Sequence, residues 1–374
     1  MILFLVALLI PSPGLTQEEE IDEVEKQIEL WSRIEAFFEG QQERGFIVLP
    51  IAFFNPTIGS ATGAAARYLY RLDDGSTSSH TTLGAAWAGE DGWVAGLWQK
   101  TFFDADRYKV DGEFGLFDVS RSYYGIGFDS GKAGDFIDLY QSGALFNTRA
   151  MLKTGQYLYL GARFRLLTME TTSDDPDDLD SGQFSIPPEE RDAVSSGMGL
   201  TLLLDSRDNQ YSPYSGSLLE LTSYAANEAF GSDFDYRNLR GDFKGFLEVS
   251  PDQVLALAVS GCFSSGDVPY YDLCSYGQRS NLRGYVSGRY RDKNMLSAQM
   301  EYRGRFYDRW GLVAFVGTGK VAPDVDGFGE VAALPSAGGG VRLLVSRSQR
   351  INVGIDYAVG RDEKAWYLRF GEAF

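Results

Sequence analysis

The chain of 374 residues carries a single histidine, His80, and only two cysteines, Cys262 and Cys274. The lone imidazole stands beside Ser78 and Ser79 with no cluster of metal-ligand spacing around it, and no phosphate-cradling glycine loop accompanies it. Enzyme chemistry, cofactors and metals are therefore not expected. Absent too is any apolar run of the ~18 residues that a membrane-crossing helix needs. Lys plus Arg number 34 against 52 Asp plus Glu, so the basic footprint of a nucleic-acid binder is missing and no nucleic-acid partner is expected.

What is present points to β structure. The chain has 43 Gly, 21 Tyr and 25 Phe, spread through many short alternating runs, and a mean hydropathy of −0.20. That composition reads as all-β and is too long for one ordinary sandwich. The formal charge of −18 is local rather than general: residues 18–44 carry −7 and residues 170–192 carry −8. The rest of the chain is nearly neutral, as a membrane barrel with acidic appendages would be. Within the second acidic stretch, Asp174 to Asp180 (DDPDDLD) has oxygen ligands for calcium, but a solvated loop is the expected reading.

Residues 1–16, MILFLVALLIPSPGLT, have the apolar core of a signal peptide without its positive n-region. Residues 17–45 follow as an amphipathic helix and linker. Ile21, Val24, Ile28, Trp31, Ile34 and Phe38 recur at spacings of three and four, and Gly40 stands in a stop position. A lone helix cannot bury such a stripe in water. It must dock on something, as a short surface helix packed under the barrel, as an interfacial helix or as a plug in the lumen.

Residues 46–374 read as a transmembrane antiparallel β-barrel of sixteen strands. The segment FIVLPIAFFNPTIG from Phe46 leads in, and candidate strands run from 60–72 to 364–374, among them separate strands at 107–119 and 122–129. Tight turns at Glu90-Asp91-Gly92, Lys153-Thr154-Gly155, Ser250-Pro251-Asp252, Asp308-Arg309 and Ser346-Arg347-Ser348 alternate with longer loops at 171–195, 265–293 and 323–336. Short connections on one side and long ones on the other are what an outer-membrane barrel shows, and an even strand count returns both ends to the short-turn side. The clearest strand begins at Leu296: Leu296, Ala298, Met300, Tyr302 and Phe306 alternate with Ser297, Gln299, Glu301, Arg303 and Arg305. In the strand near 158, Leu160, Ala162 and Phe164 face lipid and Arg163 and Arg165 face inward. Turning Arg163 outward would cost about 2–4 kcal/mol at mid-membrane, so the register is well specified.

The stretch Leu282-Arg283-Gly284-Tyr285, in a long loop just before that strand, resembles the Arg-Gly-Tyr/Phe tip of the BamA/TamA family of outer-membrane assembly barrels. This bacterial surface antigen superfamily includes the two-partner-secretion translocators. Leu204 to Asn209 (LDSRDN), with Pro213 and Gly216, resembles the family's Asp-Arg-Asp turn, although a self-capped polar turn explains it equally. The closing WYLRFGEAF, with Phe370 and Phe374, resembles the family's C-terminal assembly signal. The resemblance implies that the loop folds into the barrel and that Arg283 meets Glu301 on the inner wall, since a buried guanidinium needs a carboxylate. From the residues alone, Arg283 in a solvated loop and Glu301 lining a pore remains the alternative. Two departures stand out. No room precedes Phe46 for the periplasmic POTRA repeats that collect clients, and Gly317 occupies the place of a second acidic partner, leaving Arg283 to depend on Glu301.

Cys262 falls on the lumen face of its strand, opposite Leu255, Leu257, Val259 and Phe263, and Cys274 lies in the long loop. A disulfide between them suits an oxidising compartment, with two unrelated thiols as the alternative. Three functions follow as expectations. One is insertion or translocation of proteins at the outer membrane of a Gram-negative-type bacterium, through a seam softened by Gly59, Gly63 and Gly371. Another is lipid transport or homeostasis by the same barrel, and the third is a structural or passive pore. The partners implied are outer-membrane lipids, unfolded outer-membrane protein clients, a POTRA-bearing periplasmic protein, or a second copy in a homo-oligomer.

Overall fold

A computed structural model describes residues 45–55, 59–89, 92–180, 182–277 and 281–374. The predicted signal peptide and the predicted amphipathic helix up to residue 44 lie outside them. One sixteen-stranded antiparallel sheet contains β1 (Gly45–Asn55), β2 (Gly59–Tyr70), β3 (Ser79–Ala88), β4 (Gly92–Phe103), β5 (Tyr108–Tyr123), β6 (Ile137–Lys153), β7 (Leu158–Ser173) and β8 (Asp192–Asp205). It continues through β9 (Gly216–Ala226), β10 (Tyr236–Ser250), β11 (Gln253–Gly266), β14 (Asn294–Tyr307), β15 (Trp310–Ala322), β16 (Leu334–Ser346), β17 (Ile351–Val359) and β18 (Lys364–Phe370). Each strand pairs with its neighbours in chain order. Two short strands, β12 (Cys274–Ser275) and β13 (Arg291–Asp292), form a separate ladder inside the loop between β11 and β14.

The period of two decides which face is which. On β14, Leu296, Met300, Tyr302 and Phe306 are exposed on the outside, while Ser297, Gln299, Glu301 and Arg303 are buried on the inside. The same split holds on β7, where Leu160 is exposed and Arg163 donates to Asn147 across the inner wall at 2.8 Å.

Two strand assignments differ from the expectation. The two strands predicted at 107–119 and 122–129 are replaced by a single strand, β5, which runs through to Tyr123 because Ser120-Arg121-Ser122 stays in register opposite Asp138, Leu139 and Tyr140 of β6. It ends only where Gly125 and Gly127 take φ of 82° and 96°, and one helical turn, α1 (Phe128–Ala133), follows. The count remains sixteen because the predicted lead-in is itself β1, paired along its whole length with β2. Pro50 within β1 suits an edge strand, where a missing N–H costs no ladder bond to a neighbour.

This shift moves the glycines assigned to the seam. Gly59 and Gly63 lie on β2, one strand inside the edge, and a Cβ on Gly63 would sit 2.0 Å from the Ala85 carbonyl oxygen of β3. Gly63 therefore serves close approach of β2 and β3. Gly371, at φ 84°, turns the chain after β18 and donates its N–H to Asn352 at 2.7 Å. Glu90 and Asp91 of the predicted turn lie outside the described residues, but the ends of β3 and β4 that flank them fall at the end of the sheet that holds the loops after β5, β7, β11 and β15 rather than among the short turns. The other end holds the connections 154–157, 251–252, 308–309 and 347–350 together with residues 371–374.

The sheet curls until β18 lies beside β1. Among the described residues, however, no backbone ladder joins these two edge strands.

Placing a charge on the outer face tests the facing directly. Met300→Arg should lower the unfolding free energy of the membrane-inserted barrel by about 2–4 kcal/mol in a urea titration. An unchanged midpoint would show that this face does not meet lipid.

Candidate functional site in the barrel lumen

The loop of residues 267–293 turns back into the barrel instead of projecting outward, and its tip carries Leu282-Arg283-Gly284-Tyr285. Leu282 and Tyr285 pack with Tyr276, Tyr290, Met295, Val321, Leu334 and the two cysteines in one buried cluster. Gly284 adopts φ 97°, and a Cβ there would lie 2.9 Å from the Gly360 nitrogen of the β17–β18 turn. Only glycine lets the tip lie against that backbone.

Arg283 is 1% exposed. Its Nη2 lies 2.6 Å from Glu301 Oε2 on β14, and its Nη1 lies 3.0 Å from Asp356 Oδ2 on β17. Its backbone N–H and Nε both donate to Gln299 Oε1, at 3.2 and 3.3 Å. The Ser336 hydroxyl donates to its carbonyl oxygen. The guanidinium carbon stands 3.4 Å from the centre of the Phe315 ring and 5.7 Å from that of Phe374. A cation taken out of water is thus met by two carboxylates and an aromatic face.

Those carboxylates are themselves shared. Glu301 Oε1 accepts from Arg303 Nε at 2.6 Å, and Asp356 Oδ1 accepts from Arg342 Nη1 at 2.5 Å. Arg369 Nε reaches Asp356 Oδ2 at 3.2 Å, and Arg342 Nε reaches Glu372 Oε2 at 2.9 Å. Arg303 also donates to the Phe374 carbonyl oxygen at 2.7 Å, with Phe374 packed against Phe246, Val254 and Ala256. Phe374 is thus built into the inner network; Phe370 closes β18, and its side chain lies outside the described residues.

Arg283 does not depend on Glu301 alone. Asp356 supplies a second carboxylate from a different strand, and Gly317 has its own reason to be glycine. A Cβ there would fall 2.6 Å from Gln299 Cγ and 3.0 Å from Leu282 Cδ1. The glycine run Gly338-Gly339-Gly340 makes room in the same way, since Cβ atoms on Gly338 and Gly340 would strike the Phe315 ring and Asp356 Oδ1 at 2.4 and 2.2 Å.

The loop has further anchors. A disulfide joins Cys262 on β11 to Cys274 on β12. On the opposite wall, Asp272 accepts two bonds from Arg165 of β7, both 2.7 Å, and others from the hydroxyls of Tyr236 and Ser195. Burial alone would push the Asp272 carboxyl up, but Arg165 and the hydroxyls hold it below its ordinary value. Arg289 pairs with Glu363 at 2.7 Å and donates to the Gly131 carbonyl oxygen of α1 at 2.7 Å. Burial raises Glu363 above the usual glutamate value, although the Val286 N–H and Arg289 oppose it.

Sequence reasoning placed Arg283, Glu301 and the cysteines in this region but missed Asp356, Gln299, Arg342, Glu372 and the Asp272–Arg165 pair. Asp356 alternates with Ile355 and Tyr357 along β17, so its inward facing follows from the period of two; the curvature of the sheet links it to Arg283. The glycine run at 338–340 was the other available signal.

The class is now defined: an antiparallel sixteen-stranded barrel of the membrane-spanning type whose long loop is pinned inside the lumen by a buried arginine. The chain belongs to the Omp85 superfamily, whose domain matches residues 96–374, a family of outer-membrane barrels. The fold is similar to that of BamA from Haemophilus ducreyi lacking POTRA domains 1–3, with 15% identity, a TM-score of 0.57, and coverage of 88% of this chain and 70% of that one. It is equally similar to CdiB from Acinetobacter baumannii, with 12% identity and a TM-score of 0.58, where 88% of this chain covers 59% of that one. At these identities the likeness is one of fold. No curated protein matches the chain in sequence.

Two outcomes check this geometry. Arg283→Ala should cost up to about 3–5 kcal/mol in urea unfolding by taking one partner from each of two buried carboxylates, and Glu301→Gln added to it should cost less than additively. Strict additivity would separate the two residues energetically. Gly317→Asp, which restores an acid beside Arg283, should lower the unfolding midpoint because its Cβ displaces Leu282; a raised midpoint would overturn the steric account.

Proposed function

We propose that this protein is an outer-membrane barrel that inserts or translocates other proteins through the seam between β1 and β18. The observation that carries the reading is the pair of edge strands lying side by side with no ladder among the described residues. An edge with free N–H and C=O groups is a template for a client strand, which adds by main-chain hydrogen bonds. Next to that seam, the docked loop braces the wall that ends in β18: Gly284 donates to the Tyr367 hydroxyl of β18 at 2.9 Å, and Arg283 holds Asp356 of β17. In this reading the loop keeps the last strands in place while the seam opens. The client is an unfolded outer-membrane protein.

The test is reconstitution of the protein in liposomes and measurement of how fast a denatured outer-membrane barrel folds into them. Wild type should accelerate folding. Arg283→Ala should remain a heat-modifiable, folded barrel and lose the acceleration. No acceleration by wild type would sink the insertion reading and turn attention to lipid flip rates in the same vesicles.

A further inference from the structure

The outer wall at the long-loop end holds a feature that the lumen and the seam do not use. On β10 the outward row Leu239, Phe243, Leu247 and Val249 is exposed and apolar. Ten residue steps at about 3.3 Å, tilted by about 40°, span about 25 Å of height, which is the apolar band of such a barrel. Arg237 occupies the next outward position beyond Leu239, at the level of lipid headgroups. Its partners in the ladders, Ala225 on β9 and Ser265 on β11, are uncharged. Its side chain is exposed, and among the described residues no hydrogen bond or ion pair engages it.

Arg237 and Lys293 line one groove of about 850 Å³ on this face, with Met198, Leu239, Phe263 and Val325 among its apolar lining. Lys293 Nζ donates to the Gly266 carbonyl oxygen at 3.1 Å; the neighbouring Asp292 carboxylate acts on it electrostatically, but among the described residues no direct ion pair occupies its ammonium. Asp324 also borders the groove, but its Oδ1 accepts from the Gly327 N–H at 2.7 Å within its own turn. The combination of two cations above an apolar floor, at the edge of the lipid-facing band, selects an amphiphile. A guanidinium pairs best with a bidentate oxyanion, and a phosphate meets that geometry. Acyl chains attached to it would run along Leu239 and Phe243.

We propose that this groove binds a phospholipid of net negative headgroup charge from the leaflet at the long-loop end, with Arg237 and Lys293 on a phosphate that no cation of the lipid itself neutralises and the apolar floor under the acyl chains. This inference needs only a barrel that spans a membrane and stands apart from the insertion reading.

The experiment is native mass spectrometry of the full-length protein released from vesicles of phosphatidylglycerol mixed with phosphatidylcholine. Wild type should retain phosphatidylglycerol preferentially. Arg237→Glu should weaken that retention about tenfold, the value of one charge-assisted contact. Arg107→Glu, the same charge change on the short-turn side, should leave it unaltered. Heat-modifiable mobility verifies folding, and Arg237→Gln replaces the glutamate variant if that one does not fold. Equal retention of both lipids by wild type would overturn the proposal. So would retention unaffected by the Arg237 variants, an equal loss in Arg107→Glu, or cross-linking that places a second copy of the chain over the groove.

Discussion

A guanidinium removed from water must be met by negative charge, and much of the inner architecture of this barrel follows from that requirement. Arg283 is brought into the lumen by a loop, yet its partners Glu301 and Asp356 belong to strands β14 and β17 and meet only because the sheet curves. Each carboxylate in turn serves a second arginine on its own side, Arg303 and Arg342. A buried ion pair of this kind is not a source of large net stability, because desolvation offsets most of the attraction. What it supplies is position. Removing one member leaves its partners short of a contact that no other side chain supplies, so the loop has one place to sit.

The remaining anchors extend the same logic across the lumen. Asp272 ties the rising part of the loop to Arg165 on β7, the disulfide ties it to β11, and Arg283 ties its tip to β14 and β17. The loop is therefore a crossbar between opposite walls. Such a crossbar braces from the inside a cylinder whose edge strands share no ladder among the described residues. Gly284, Gly317 and Gly338 to Gly340 are the steric counterpart of this bracing, since side chains at most of these positions would occupy space already taken by the tip, Phe315 or Asp356.

The outer surface answers to a different solvent. Its exposed apolar side chains are ordinary for a wall that meets lipid, and the informative residues are the exceptions at its rim. Among the described residues no hydrogen bond or ion pair engages Arg237, and in the proposed reading a lipid headgroup supplies its counter-charge. The lumen and the rim thus treat arginine in opposite ways: inside, the chain provides the carboxylates, and outside it leaves them to the surroundings.

By itself the sequence determined the periodicity and therefore the faces. The alternation from Leu296 to Phe306 assigns lipid and lumen without any tertiary information, because side chains of a strand point to opposite sides at every step. The same reasoning put Cys262, Arg163 and Arg165 inside. It could not locate strand boundaries where polar residues continue a ladder, as at Ser120 to Ser122, or where an apolar lead-in becomes the edge strand β1. Which inward residues meet was decided by tertiary structure alone. Asp356 is 73 positions from Arg283 and Arg165 is 107 from Asp272, and only the curvature of the sheet and the inward fold of the loop bring such pairs within a hydrogen bond. Local pattern sets direction; curvature sets contact.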